Sequence, residues 1–172
     1  DPEWFELEMK HIFEGNWIYL AHESQIPNKN DYYTTYMGRQ PIFIARNKNN
    51  ELNAFINACS HRGAMLCRHK RASKATYTCP FHGWTFNNHG SIRNVPWPDG
   101  YANDVAETRF NAAQIPRVES YRGFIFGTLN MDAPSLTDYL GGVKGPLDEW
   151  LDRHPGGKVA ICEANRLKYN GN

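Results

Sequence analysis

Cys59-Ser60-His61-Arg62-Gly63-Ala64 and Cys79-Pro80-Phe81-His82-Gly83-Trp84-Thr85-Phe86 are the two stretches on which the reading of this sequence turns. Each offers one thiol and one imidazole, as C-x-H and C-x-x-H, with 17 residues between His61 and Cys79. Both stretches lie between segments of β texture. Two loops facing each other would therefore bring two sulfurs to one side and two ring nitrogens to the other. Taken singly, a cysteine is an ordinary small core residue and a histidine an ordinary hydrogen-bonded one. Two matched pairs are more than packing requires.

Two metal chemistries accommodate such a set. Two Cys with two His make a tetrahedral zinc site, although zinc-finger spacing groups the cysteines together and the histidines together, whereas each motif here mixes them. A [2Fe–2S] centre in which two histidines replace two cysteines on one iron draws one Cys and one His from each loop.

Outward from these loops the texture is β from Asp31 onward. Tyr32 to Met37, Pro41 to Arg46 and Glu51 to Asn57 read as strands, with Asn47-Lys48-Asn49-Asn50 as a polar turn suited to a hairpin. Thr76 to Thr78, Trp84 to Phe86, Ser91 to Arg93 and Arg122 to Leu129 read likewise. Asn94 to Asp104 reads as a loop with no assignable chemistry. At the start, Asp1 is placed to cap a helix with Pro2 at its first position. Phe5, Met9, Ile12 and Phe13 recur on one face of that helix, and Gly15 ends it. Near the end, Ser135 with Asp138 three residues on starts a short helix, Gly141-Gly142 breaks it, and Pro146 to His154 forms another. Lys158 to Tyr169 reads as a strand. Asn170-Gly171 is a hairpin turn with no return strand, as expected of a piece of a longer chain. No internal repeat stands out.

Composition narrows the function classes. The 172 residues suffice for one domain with a core, and 41% hydrophobic with 13% aromatic residues excludes disorder as the main state. Nineteen Lys and Arg stand against 18 Asp and Glu, a net charge of +1 that argues against nucleic-acid or acidic-membrane partners. No apolar run approaches the roughly 20 residues that span a bilayer, and no signal-peptide pattern opens the chain, so a cytoplasmic protein is expected. Four cysteines are too few for a disulfide scaffold; Cys67 and Cys162 read as unpaired small hydrophobes. His69, among Arg68, Lys70 and Arg71, reads as a solvated basic surface, or one that docks a negatively charged electron donor.

The two Cys/His stretches resemble those of the Rieske non-haem iron aromatic-ring-hydroxylating dioxygenases, α (large) subunit. The resemblance continues through Phe5-Glu6-Leu7-Glu8-Met9, Ile12-Phe13-Glu14, Ala21-His22-Glu23-Ser24-Gln25-Ile26-Pro27, Gly38-Arg39-Gln40-Pro41 and Glu119-Ser120-Tyr121-Arg122-Gly123-Phe124. The benzoate, toluate and anthranilate dioxygenases are the most similar subfamilies. The resemblance implies that Cys59 and Cys79 bind the inner iron of a Rieske [2Fe–2S] cluster, and His61 and His82 the outer one. Trp84 and Arg62 would join the cofactor site, Trp84 as a cover against water and Arg62-Gly63 for loop geometry. Respiratory Rieske proteins carry extra cysteines where this chain has Ala64 and Phe81, and a serine where it has Trp84. With fewer donors to the sulfurs, a low potential for a Rieske centre is expected.

The fold class implied is mainly β, a Rieske-type antiparallel β-sandwich with a two-loop cluster-binding subdomain, an N-terminal helix and short C-terminal helices. Three regions are expected: a helical lead over 1–31, the Rieske domain over 32–140, and over 141–172 a linker with the first strand of a catalytic domain. That domain would hold a mononuclear Fe(II), and no catalytic residue is expected in this stretch. The expected activity of the whole protein is that of an NAD(P)H-dependent dioxygenase system. It would take electrons from a reductase or ferredoxin, act on a benzoate-like aromatic acid with O2, and assemble with neighbouring α subunits and a β subunit. A free-standing Rieske ferredoxin and a salicylate-hydroxylase-type monooxygenase subunit are the alternatives.

Overall fold

Gln40-Pro41-Ile42-Phe43-Ile44-Ala45-Arg46 sends alternate side chains to opposite faces, as any strand does, and here both faces are covered. A computed structural model describes residues 1–101, 110–156, 158–162 and 167–170. In it Phe43 and Ala45 enter one core, with Tyr32, Phe55, Tyr77, Cys59, Cys79, Trp84 and Phe86. Ile42 and Ile44 enter a second, with Leu20, Ile26, Met37, Ala54, Ile115 and Ile125. One strand thus serves two cores.

That strand, β3 (Gln40–Arg46), lies inside a four-stranded antiparallel sheet with β2 (Asp31–Met37), β4 (Leu52–Ile56) and β5 (Arg71–Ser73), ordered β4-β3-β2-β5. Phe43 faces Phe55 across the β3/β4 ladder, ring centroids 5.2 Å apart. The second core is closed by a sheet of β1 (Ile18–His22), β10 (Phe124–Thr128) and β9 (Arg117–Tyr121), ordered β1-β10-β9. The first core is closed by β6 (Thr76–Thr78), β7 (Thr85–Asn87) and β8 (Ile92–Asn94). All strand pairings among the described residues are antiparallel, and with ten strands to a few short helices the fold is mainly β, as expected. The guanidinium ending β3 is buried yet satisfied: Arg46 donates to the Ile26 and Asn50 carbonyls at 2.9 and 3.1 Å and to Glu23 at 3.0 Å.

Differences from the sequence reading have local causes. Helix α1 (Pro2–Glu8) is capped by Asp1, which accepts from the Glu3 amide at 2.9 Å, but a π turn over Met9–Phe13 follows it. The wider turn shifts the phase of Ile12 and Phe13 relative to α1, itself without a buried residue. Only Met9 is buried, while Phe5 is 47% and Ile12 50% exposed. β5 and β9, neither expected from sequence, are recruited by pairing with β2 and β10; Arg71-Ala72-Ser73 has little β propensity of its own. β7 begins at Thr85, leaving Trp84 in the preceding loop. Helix α2 (Leu136–Leu140) has the Ser135 cap expected, with Asp138 N–H donating to Ser135 Oγ at 3.1 Å. Helix α3 (Lys144–Asp152) starts before Pro146, which sits in the first turn where a missing N–H costs nothing.

The strand expected over Lys158 to Tyr169 is corrected. Its described residues, 158–162 and 167–169, join no sheet. Ile161 N–H instead donates to Ser24 Oγ at 3.0 Å, a side-chain bond in place of a ladder. Residues 163–166 of that segment, Gly171 of the expected turn, and Ala102 to Asp104 of the expected loop lie outside the described residues. Among the described residues no helix is long and apolar enough to cross a membrane.

Candidate metal centre

The two Cys/His loops share one backbone device. The Cys59 amide donates to Ala64 O at 2.8 Å and the Gly63 amide to Cys59 O at 2.7 Å. In the second loop the Cys79 amide donates to Trp84 O at 2.7 Å and the Gly83 amide to Cys79 O at 3.0 Å. The glycine four residues after each cysteine has positive φ, 71° at Gly63 and 75° at Gly83, a conformation glycine adopts without strain. The chain therefore contains a repeated turn, Cys-x-x-x-Gly, that sequence reading passed over. The histidine falls at the second position inside it in one copy and at the third in the other.

The first turn hangs from β4 and is fastened at its far end by buried Asn57. Its side chain accepts from the Cys67 amide and donates to Cys67 O, both at 2.8 Å. The second turn spans β6 and β7, and Pro96 packs over Gly83. These fastenings bring Cys59 and Cys79 together, both free and buried. Burial pushes the Cys59 thiol up, while the backbone amides of His61 and Arg62 pull against that and the Cys79 thiol beside it adds to it. Amides aimed at a sulfur are what a thiolate needs once a metal takes its proton.

His61 and His82 are half-buried, their ring centroids 4.7 Å apart. Desolvation, then the nearby His82 and Arg62 charges, lower the pKa of His61, which keeps it a neutral donor. Its Nδ1 is buried with no hydrogen-bond partner. Trp84, 2% exposed, stacks on the His61 ring at 4.8 Å and 5°, so it is both core and cover. Its indole N–H donates to Tyr101 OH at 3.0 Å.

Of the residues singled out from sequence, Cys59, His61, Cys79, His82 and Trp84 meet at this place, while Arg62 stands exposed at its edge. A buried orphan nitrogen, two adjoining thiols and a second imidazole form a donor set that fits a [2Fe–2S] cluster. Tyr101 was missed, since a tyrosine beyond a Pro/Gly loop carries no local signal. Cys67 is buried as expected, but Cys162 is exposed, with no core around it. The basic run is surface: Lys70 donates to Thr34 O at 2.6 Å and lies 4.2 Å over the Tyr33 ring. A cavity of about 600 Å³, lined by His22, Glu23, Arg46, Arg122 and Lys158 among others, includes none of the Cys/His set.

A family model described as the Rieske [2Fe–2S] domain matches residues 16–121. The toluate 1,2-dioxygenase subunit alpha of Pseudomonas putida is 54% identical over 175 residues. The 2-halobenzoate 1,2-dioxygenase large subunit of Burkholderia cepacia is 44% identical over 178 residues. Both alignments take in 100% of this chain but only 38% of the relative. Naphthalene 1,2-dioxygenase from Rhodococcus sp., solved bound to indole, matches with a TM-score of 0.85 at 40% identity, over 90% of this chain and 36% of that one.

Proposed function

The chain belongs to the Rieske [2Fe–2S] domain family, and from that premise we propose that it is the electron-transfer portion of an aromatic-ring-hydroxylating dioxygenase large subunit. Cys59 and Cys79 would hold the inner iron, and His61 and His82 the outer. A bound [2Fe–2S] cluster supplies one-electron redox chemistry. The observation that carries the reading is the meeting of two thiols and two imidazoles from a twice-used turn, with His61 Nδ1 buried and unpartnered. The four converge as a sulfur pair and a nitrogen pair, which suits two irons with two protein ligands each better than one zinc with four.

The protein's own groups have distinct tasks. The His61 and Arg62 amides direct their N–H dipoles at the Cys59 sulfur and offset its charge as a thiolate. Trp84 and Tyr101 keep water off one side of His61. The imidazoles, less buried than the cysteines, form the side nearer solvent, next to Phe81, which is 62% exposed. That is the side through which a bound cluster would pass its electron.

In this reading residues 1–31 lead into the domain and lend it β1, residues 32–140 form the Rieske body, and residues 141–172 connect to a catalytic domain with a mononuclear Fe(II). A reductase or ferredoxin supplies electrons. The substrate is a benzoate-like aromatic acid, a class supported by the names of the toluate and halobenzoate relatives. The subunits work in the cytoplasm beside neighbouring α subunits and a β subunit. Iron and acid-labile sulfide analysis with EPR of the reduced protein tests the cluster: a rhombic Rieske signal supports the reading, and zinc without sulfide refutes it. Turnover of benzoate, toluate and naphthalene by the full-length subunit with its reductase tests the substrate class.

A further inference from the structure

Tyr101 belongs to neither ligand turn. It ends the Trp97-Pro98-Asp99-Gly100 segment, to which the sequence assigns no chemistry. That segment folds as a short 3-10 turn over Pro98–Gly100, with the Tyr101 amide donating to Pro98 O at 3.1 Å. Because Pro96 packs over Gly83, the turn is laid across the second ligand loop. Tyr101 OH then accepts from the Trp84 indole N–H at 3.0 Å, and the Tyr101 ring meets His61 edge-on at 5.9 Å. Its ring is also nearly perpendicular to that of Trp84, at 72°. His61 is thus held on one face by an indole that is packed in the core and whose N–H is oriented by its bond to Tyr101. His82 has a different neighbour, the exposed ring of Phe81 at 3.8 Å.

We propose that Tyr101 is a positioning residue for the cluster. Through the indole of Trp84 it sets the plane of the His61 imidazole, and so makes the two histidine ligands inequivalent. The inference rests on the reading of His61 and His82 as ligands. Physically, the orientation of a ligating imidazole tunes the metal it binds, and groups behind the ligand set that orientation. A buried indole N–H deprived of its acceptor must move to find another, and the parallel stack on His61 moves with it.

The test uses the iron–sulfur-loaded protein. Tyr101→Phe keeps the ring against His61 and removes only the hydroxyl. Trp84→Phe keeps a ring over the imidazole and removes the indole N–H. Nitrogen ENDOR of the reduced cluster should show one of the two histidine couplings shifted in Tyr101→Phe and the other unchanged, with a shift in reduction potential at full iron content. The Trp84→Phe variant should move the same coupling. The double variant should go no further than Trp84→Phe alone, because the hydroxyl acts only through the indole. Unchanged couplings and potential in Tyr101→Phe, or effects that add in the double variant, would overturn the proposal. So would loss of iron from Tyr101→Phe while Trp84→Phe retains it. A wild-type protein with no Rieske signal would instead refute the ligand reading itself, so the two failures are distinct.

Discussion

The imidazole of His61 lies parallel to the indole of Trp84, ring centroids 4.8 Å apart and planes 5° from coincidence. Trp84 is buried in the same core as Cys59 and Cys79, so one side chain joins the hydrophobic interior to the half-buried imidazole of His61. Trp84→Ala should cost about 3–5 kcal/mol by the cavity it leaves. It should also admit water to the site, giving faster cluster loss in air, followed by bleaching of the visible absorbance.

The four proposed ligands and the remaining cysteines should part company on mutation. His61→Ala, His82→Ala, Cys59→Ser and Cys79→Ser are each expected to abolish the EPR signal of the reduced protein. Cys67→Ala and Cys162→Ala should keep it. Signal loss in Cys67→Ala with retention in His61→Ala would mean that the wrong residues are assigned.

The paired glycines differ in what stands over them. Both have positive φ, so an alanine at either costs about 1–2 kcal/mol of backbone strain. At Gly63 a Cβ meets nothing, whereas at Gly83 it would come within 3.0 Å of Pro96 Cγ. Gly83→Ala should therefore lower the thermal midpoint more than Gly63→Ala, as read by calorimetry of the loaded protein.

Cys67 should show its burial in the pH dependence of stability. Burial pushes its thiol up to about 12, against about 8.5 when unfolded. The unfolded chain therefore loses this proton first, and the contribution to stability is present below about pH 8.5 and lost as pH rises toward 12. Urea midpoints taken between pH 8 and 11 should fall more steeply for wild type than for Cys67→Ala. At neutral pH iodoacetamide should label Cys162 and leave Cys67 unmodified until the protein is denatured.

Glu23 makes the opposite case. Ser120 Oγ donates to it at 2.5 Å and Arg46 at 3.0 Å, the Ser120 bond first and then Arg46 holding its carboxyl below the usual carboxylate range. A depressed pKa favours the folded state above the unfolded value of about 4.3, and that benefit disappears as pH falls through the folded value. Glu23→Gln should be less stable at pH 7, by about 1 kcal/mol because the carboxylate is partly solvated. The gap from wild type should close in urea titrations below pH 4.

What the sequence by itself determined is whatever is local or chemically scarce. Two mixed Cys/His motifs name a donor set without reference to the fold. The apolar run through Ile42, Phe43 and Ile44 marks a strand, and Asp1 and Ser135 mark helix starts because a cap bonds only two or three residues ahead. The tertiary structure decided what depends on a distant partner. Arg71–Ser73 becomes a strand because β2 offers an edge, whereas Lys158–Cys162 joins no sheet and its Ile161 amide bonds to the Ser24 side chain. The apolar face through Phe5 and Ile12 is left exposed because α1 lies off the core, with none of its residues buried. The four donors meet because both turns end in a positive-φ glycine and are fastened from outside, by Asn57 on one side and Pro96 on the other. Tyr101 reaches Trp84 across 17 positions of sequence through a loop whose composition speaks only of turning. A hydrogen bond between residues that far apart is set by where the chain returns, and local propensity carries no record of that.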